Sequence, residues 1–367
     1  MTKAGFLTKL TDALADLPTA EREAALAFFT ELLDDRIEEG MTEAEAVESL
    51  GSFREIVASL HEDAATTQPS APHAQTQAER GESNRPEPRS FVTQNRPRTI
   101  ELTDTNCAVE ILPSPDASIR IDYDVTRWVT VDISCDDTRL IYTAKEIFHV
   151  FHFDVISRKP TRLYLPADYL PNLEIRTGNA KLSAADVSFD SANLKTGNAA
   201  INLCRLTTNN LTAKTGNAAV TAEHITANLL KLTTSNGAIN TAHCTADSLL
   251  LKTSNSAIKT EHCTANTINA VTANGKNTAE HITADVISLT SSNGAVSLGN
   301  TTANDITLKT SNAHVTAILP GSIADYRIES KTVNGKSSLP SHKAKGEKSL
   351  NVTTSNGKID VVFAEDM

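Results

Sequence analysis

Four histidines stand one repeat apart, His224, His243, His262 and His281, each 19 residues after the last. Glu223, Glu261 and Glu280 directly precede three of them. If the repeat stacks coil on coil at strand spacing, their rings lie roughly 5 Å apart in one column. Neutral imidazoles ligate transition metals, and such a column would suit weak binding of Zn²⁺ or Ni²⁺. A metal site also needs neighbours that fix each ring, and the sequence points to none. The simpler reading is a turn residue copied by repeat duplication, stacked and solvated, so no metal or other cofactor is assigned. Asp247 and Asp285 are a second candidate. They would share a column two coils apart, roughly 9.5 Å, near the carboxylate separation of inverting glycosidases. They alternate with Asn along that column, the mark of a turn preference, and no aromatic platform accompanies them. No catalytic residue is assigned, and the chain reads as a non-enzyme.

These residues sit on a repeat. One asparagine recurs every 19 residues, at Asn179, Asn198, Asn217, Asn236, Asn255, Asn274, Asn293 and Asn312. Thr stands two before it in each coil except at Ser291. Apolar residues recur six and four before it (Leu230 and Leu232, for example) and three and eight after it (Ile239 and Cys244). Spacings of two are the strand period. A fixed short period rich in Thr, Asn, Val and Ile points to a β-solenoid, in which each coil is buried only by its neighbours. The expected fold is mainly β: a single-stranded parallel β-helix of 19-residue coils, with a small N-terminal all-α domain. Small residues crowd the Asn, so it reads as a corner, where Asn tolerates left-handed backbone. Stacked amides can also bond along the axis, as in cross-β ladders. A second corner, eleven further on, carries Asp190, Asn209, Asn228, Asp247, Asn266, Asp285 and Asn304. Asn334 and Asn356 continue the series at intervals of 22, and the added residues are expected to bulge as loops, Ser341 to Lys348 among them.

The chain of 367 residues is long enough for several domains. The formal net charge is −11, and residues 1–63 hold 15 acidic against five basic residues, a balance of −10. That argues against direct nucleic-acid binding there. No segment approaches the roughly 20 apolar residues of a membrane span. Met1 to Pro18 lacks a signal-peptide apolar region, and the five cysteines form no disulfide framework, so a cytoplasmic location with reduced thiols is expected. Cys244 and Cys263 would stack one coil apart.

Residues 1–62 read as short helices. Phe6, Leu7, Leu10, Leu14 and Leu17 form one apolar stripe, ended by Pro18. A second helix runs from Thr19 to Glu39 with Ala24, Leu26, Ala27, Phe28, Leu32 and Ile37 apolar, and Gly40 ends it. Thr42 with Glu45, and Ser52 with Glu55, form capping boxes for two more, ending before Gly51 and near His61. Residues 63–97, dominated by Gln, Pro, Ser, Thr and charge, read as a disordered linker. Residues 98–170 read as strands forming the first, capping coils, and 171–364 as the solenoid repeats.

Two resemblances follow from specific stretches. Lys3-Ala-Gly-Phe-Leu7, Leu17-Pro18, Asp35-Arg-Ile-Glu-Glu-Gly40-Met-Thr-Glu-Ala-Glu-Ala-Val-Glu-Ser-Leu-Gly51 and Glu55-Ile56 resemble the helical signalling domain often encoded beside PadR-type helix-turn-helix regulators in bacteria. That implies a protein–protein module over about residues 1–62. Leu165-Pro-Ala-Asp-Tyr-Leu-Pro-Asn-Leu-Glu-Ile-Arg-Thr-Gly-Asn179, the Asn-Gly turns at Asn236, Asn293 and Asn356, and the closing Ile359-Asp-Val-Val-Phe363 resemble the bacterial "putative adhesin" β-strand-repeat family over about residues 95–364.

Arg176, Lys195, Lys214, Lys252 and Lys309 stand three before their asparagines and would make a broken basic stripe: a solvated face, or a receiver of the acidic helical domain folding back on the linker or of another acidic partner. An ice-binding face is set aside, because Thr alternates with Asn and Lys. The expected function is a non-enzymatic interaction scaffold, with a protein partner such as a PadR-type regulator, or self-assembly. The alternative is a carbohydrate-binding or polysaccharide-acting β-helix.

Overall fold

The computed structural model describes residues 1–17, 19–38, 41–50, 52–54, 56–57, 60, 75–81, 85–146 and 158–366. Pro18, Glu39, Gly40, Gly51, Glu55 and His61, invoked above for helix ends and the second capping box, lie outside them, as does most of the expected linker up to residue 74. The chain divides into two compact units, residues 1–73 with 146–157, and 74–145 with 158–367.

In the first unit, helix α1 spans Lys3–Ala13, α2 Thr19–Glu38 and α3 Glu43–Glu48. Thr2 caps α1 by accepting from the Gly5 amide at 3.2 Å. At α3 the expected capping box is present: the Thr42 amide donates to Glu45 at 2.9 Å, and the Glu45 amide returns to Thr42 Oγ1 at 3.4 Å. Phe6, Leu10 and Leu14 of the first stripe are buried, while Leu7 and Leu17 are only half-buried. On α2 the buried residues are Ala25, Phe29 and Leu33, with Arg36 continuing the same face. Leu26, Ala27 and Ile37, expected inside, are half-buried. The face is set by Phe29, whose ring meets Phe6 edge-on at 5.4 Å. Arg36 stays buried because its guanidinium donates to the Ala46 carbonyl at 3.5 Å and to Ser49.

The second unit is a β-solenoid of about ten turns. Its coils pair in parallel, each residue facing the one 19 further on: Val220 opposite Ile239, Ile239 opposite Ile258, Thr245 opposite Thr264. The apolar columns at −6, −4, +3 and +8 point inward and are buried, so like packs on like along the axis. Asn277 is a polar exception in the +3 column, wholly buried between Ile258 and Val296.

Both ends depart from sequence order. At the C-terminal end, Lys348–Thr353 pairs directly with Asp305–Lys309, and Ile359–Phe363 with Val315–Leu319. Tyr326–Lys331, earlier in the chain, lies outside them, paired to Lys348–Thr353. The coil of Asn356 is therefore inserted between those of Asn312 and Asn334. Part of the expected loop is also a strand: His342–Lys343 pairs antiparallel with Ile328 and Glu329. There the Lys343 ammonium donates to the carbonyls of Ala324, Tyr326 and Lys345 at 3.1, 2.7 and 2.6 Å, which caps edge groups of the outermost coil.

The N-terminal end mirrors this. Thr99–Asp104 lies between Asn172–Thr177 on one side and Arg139–Glu146 on the other. Val109–Pro113 lies between Leu182–Ala185 and Thr161–Leu165. Ile119–Val125 then runs antiparallel to Thr161–Leu165.

The linker expectation fails over Gln75–Arg80 and Glu87–Thr93. Glu87–Thr93 is a strand paired antiparallel with Ile119–Val125, and Gln75–Arg80 one paired antiparallel with Val129–Cys135. Only Phe91 of Glu87–Thr93 is buried. These strands are held by backbone pairing to a sheet edge, which needs little apolar surface of its own, so composition hides them.

Candidate functional site

The corner asparagines form one hydrogen-bonded column. From Asn106 through Asn179 and the repeat to Asn312, then Asn356 and finally Asn334, each Nδ2 donates to the Oδ1 of its neighbour on the Asn106 side, at 2.5–2.9 Å. Behind it, from Thr196 onward along the repeat, the buried Thr or Ser two before the Asn donates to a carbonyl at the corner of the preceding coil, whereas Thr177 donates to Ala180 O of its own corner at 2.8 Å. Thr215 reaches Ala199 O at 2.8 Å, Thr253 Gly237 O at 2.9 Å, and Ser291 Gly275 O at 3.0 Å. Gly237 is required by close approach: a Cβ there would lie 1.8 Å from the Ala218 carbonyl oxygen.

Left-handed backbone falls elsewhere than expected. It is the column seven after the Asn that has positive φ: Asp186, Arg205, His224, His243, His262, His281 and Asn300, between 46° and 59°. The corner asparagines do not share it. Asn, Asp and His are the non-glycine types enriched there, which explains most of this column. Arg205 is held by a bidentate ion pair to Asp186 on the coil before it, and that pairing holds the Asp186 carboxyl below its usual range.

The four histidines are exposed, with ring centroids 4.8, 5.0 and 4.6 Å apart and planes within 13° of parallel. Parallel rings send their nitrogen lone pairs side by side rather than toward one point. Among the described residues, no group of three or more His, Cys, Asp and Glu is arranged to hold a metal ion. Glu261, beside His262, is engaged instead by Lys259 at 2.8 Å, whose hydrogen bond holds its carboxyl below the usual range.

The Asp247 and Asp285 carboxylates belong to the second corner column. Asn266 donates to Asp247 at 3.2 Å and Asn304 to Asp285 at 3.3 Å, so each is tied to the next coil as a turn group. Between the His column and this corner runs an exposed column of Thr207, Thr226, Thr245, Thr264, Thr283 and Thr302, in register from coil to coil. The sequence mixes these with the buried threonines; the fold separates them onto opposite sides of the wall. All five cysteines are free thiols. Cys244 and Cys263 are buried on adjacent coils, and the hydrogen bond between them, with burial, pushes the Cys244 thiol up.

Residues 98–362 match the family model Toastrack DUF4097. The chain belongs to the Toastrack DUF4097 family. A second model, HAAS, matches residues 5–59 of this Toastrack chain, over the helical unit. Two solved structures are similar to it. A "putative cell adhesion protein" from Clostridium sporogenes is 10% identical, covering 76% of this chain and 100% of its own, with a TM-score of 0.25. A "putative adhesin" from Parabacteroides merdae is 12% identical, covering 77% of this chain and 98% of its own, with a TM-score of 0.35. No curated protein matches. No helix among the described residues is long and apolar enough to cross a membrane.

Proposed function

We propose that this Toastrack protein is a non-enzymatic interaction scaffold, in which the acidic HAAS-type helical unit engages a protein partner and the solenoid is a rigid platform. The observation that carries this reading is the uninterrupted amide column from Asn106 to Asn334, which ties the solenoid into one stiff body. Its outward side chains are repeated turn and strand residues, and its paired carboxylates are tied up as corner groups. The charge, by contrast, is concentrated in the helical unit. A PadR-type regulator, met in the cytoplasm, is the first partner to test, on the strength of the helical motif.

The test is affinity capture with the full chain from cell extract, against a variant carrying Asp12→Asn, Asp16→Asn and Glu48→Gln at exposed positions of the helical unit. A transcription regulator retained by the first and lost by the second supports the reading. If both baits retain the same proteins, or neither retains a regulator, the signalling role fails.

A further inference from the structure

The side of the solenoid formed by the strands that precede the Asn corner carries one exposed cation per coil on five consecutive coils: Arg176, Lys195, Lys214, Lys231 and Lys252. Pairing in the sheet sets Arg176 opposite Lys195, and Lys195 opposite Lys214. Where Thr233 interrupts that column, Lys231 supplies the charge from the same strand, two residues away on the same face. Like charges directly opposite each other in a sheet destabilise it. Here the arrangement is relieved only at its Arg176 end. Arg176 has Glu174 at 3.9 Å, while Lys195, Lys214, Lys231 and Lys252 have no ion-pair partner among the described residues. The protein as a whole is strongly acidic, so a basic strip on one wall is not a consequence of composition.

We propose that this strip is a docking surface for an extended anionic polysaccharide, a polyuronate-like chain lying along the solenoid axis. Such a chain carries a carboxylate on every sugar, so an extended stretch of it presents repeated negative charge to cations set about 4.8 Å apart from coil to coil. Five coils then present cations over roughly 19 Å. Thr212 and Asn210, beside the cations, offer hydrogen bonds to sugar hydroxyls, while the Asn193 amide donates to Glu174 at 3.0 Å. Two other polyanions fit less well. Single-stranded nucleic acid is gripped by stacking its bases on aromatic side chains, and the outward residues of these five strands include none. An anionic bilayer is gripped by basic residues together with inserted apolar groups, and Leu229 and Leu250 on this wall are half-buried. The proposal stands on the solenoid wall and does not depend on what the helical unit binds.

The test is a titration of the full-chain protein with a polygalacturonate oligomer, a single-stranded oligonucleotide and anionic phospholipid vesicles, each at low and at physiological salt. Polygalacturonate is expected to bind with an affinity that falls as salt rises. A Lys195→Gln, Lys214→Gln, Lys252→Gln variant is expected to weaken it on the order of tenfold, from three lost exposed contacts. Lys214→Glu alone gives a smaller loss in the same direction, with less change to the wall. A Lys259→Gln, Lys276→Gln, Lys358→Gln variant, which removes exposed lysines from other positions, leaves binding unchanged. Absent binding, equal losses in the two triple variants, or tighter binding of the oligonucleotide or the vesicles each overturns the proposal.

Discussion

The Nδ2 amide of Asn356 donates to Oδ1 of Asn312 at 2.7 Å, across 44 residues of chain. Asn334, which lies between them in sequence, donates instead to Asn356 at 2.6 Å. The coil made last is thus clamped between two made earlier, and the same exchange occurs at the other end, where Thr99–Asp104 is clamped by Asn172–Thr177 and Arg139–Glu146. Deleting residues 347 onward therefore removes an inner coil. The expected result is a stack that loses Tyr326–Lys331 as well and exposes the Asp305–Lys309 edge. Limited proteolysis should then cut within residues 326–345, and light scattering should show association through the open edge. A truncated protein that stays monomeric and protected through residue 339 would contradict the coil order.

Within the amide column, position decides the effect of a substitution. Asn236 both donates to Asn217 and accepts from Asn255 at 2.6 Å, whereas Asn334 only donates. Asn236→Ala is expected to lower stability by about 1–2 kcal/mol and Asn334→Ala by about half as much. Urea unfolding of the two variants measures the ratio. Equal losses would mean that the amides act singly at their own turns.

A buried ion pair fixes the chain where it joins the outermost N-terminal coil. The Arg158 guanidinium donates to both Asp104 carboxylate oxygens, at 2.8 and 3.2 Å, and Asp104 also accepts from the Cys107 amide at 3.2 Å and Thr161 Oγ1 at 3.3 Å. Both side chains are nearly inaccessible. Arg158→Met leaves a buried carboxylate without its partner and is expected to lose about 3–5 kcal/mol. The double variant Asp104→Leu, Arg158→Met should recover much of that loss. Thermal melts of the three proteins test the pair, and a double variant as unstable as the single one would assign the loss to packing alone.

The repeat made most of the solenoid legible, because a 19-residue period places each inward residue beneath its own copy. Leu230, Leu249 and Ile268 are opposite one another as the spacing requires. The ends were not legible, because inserting the Asn356 coil ahead of the Asn334 coil changes no local pattern; both carry the same motif. Glu87–Thr93 was hidden for a related reason, since strand pairing at an edge asks for backbone and little else. In the candidate site, the asparagine column and the stacking of the histidines were readable from spacing, but the left-handed corner was assigned to the wrong column. Asp186 and Asn300, at the two ends of the histidine column, carried the correct signal.

That corner gives a sharp contrast between two substitutions at one residue. His243 has φ 53°, where a β-branched side chain is strained and glycine is not. His243→Val is expected to lose about 1–2 kcal/mol, and His243→Gly to change stability little, although both remove the ring stacked between His224 and His262. Chemical unfolding separates the cases. If both variants lose the same amount, ring stacking outweighs backbone strain in this column.

Asn277 is wholly buried at a position filled by Ile258 on the coil before and Val296 on the coil after. Its Nδ2 donates to Ala270 O at 2.7 Å, but its Oδ1 has no hydrogen-bond partner, and neither does Thr260 Oγ1 on the neighbouring coil. A buried acceptor without a donor lowers stability by more than one good hydrogen bond restores. Asn277→Val removes both groups and restores the apolar column, so a gain of about 1 kcal/mol is expected. Adding Thr260→Val should extend the gain, because the two side chains lie on paired strands, one coil apart and two residues out of register. Melting temperatures of the single and double variants decide the matter. A fall instead of a rise would mean that a buried water satisfies these oxygens, and that the middle coils enclose a hydrated polar pocket where the apolar column breaks.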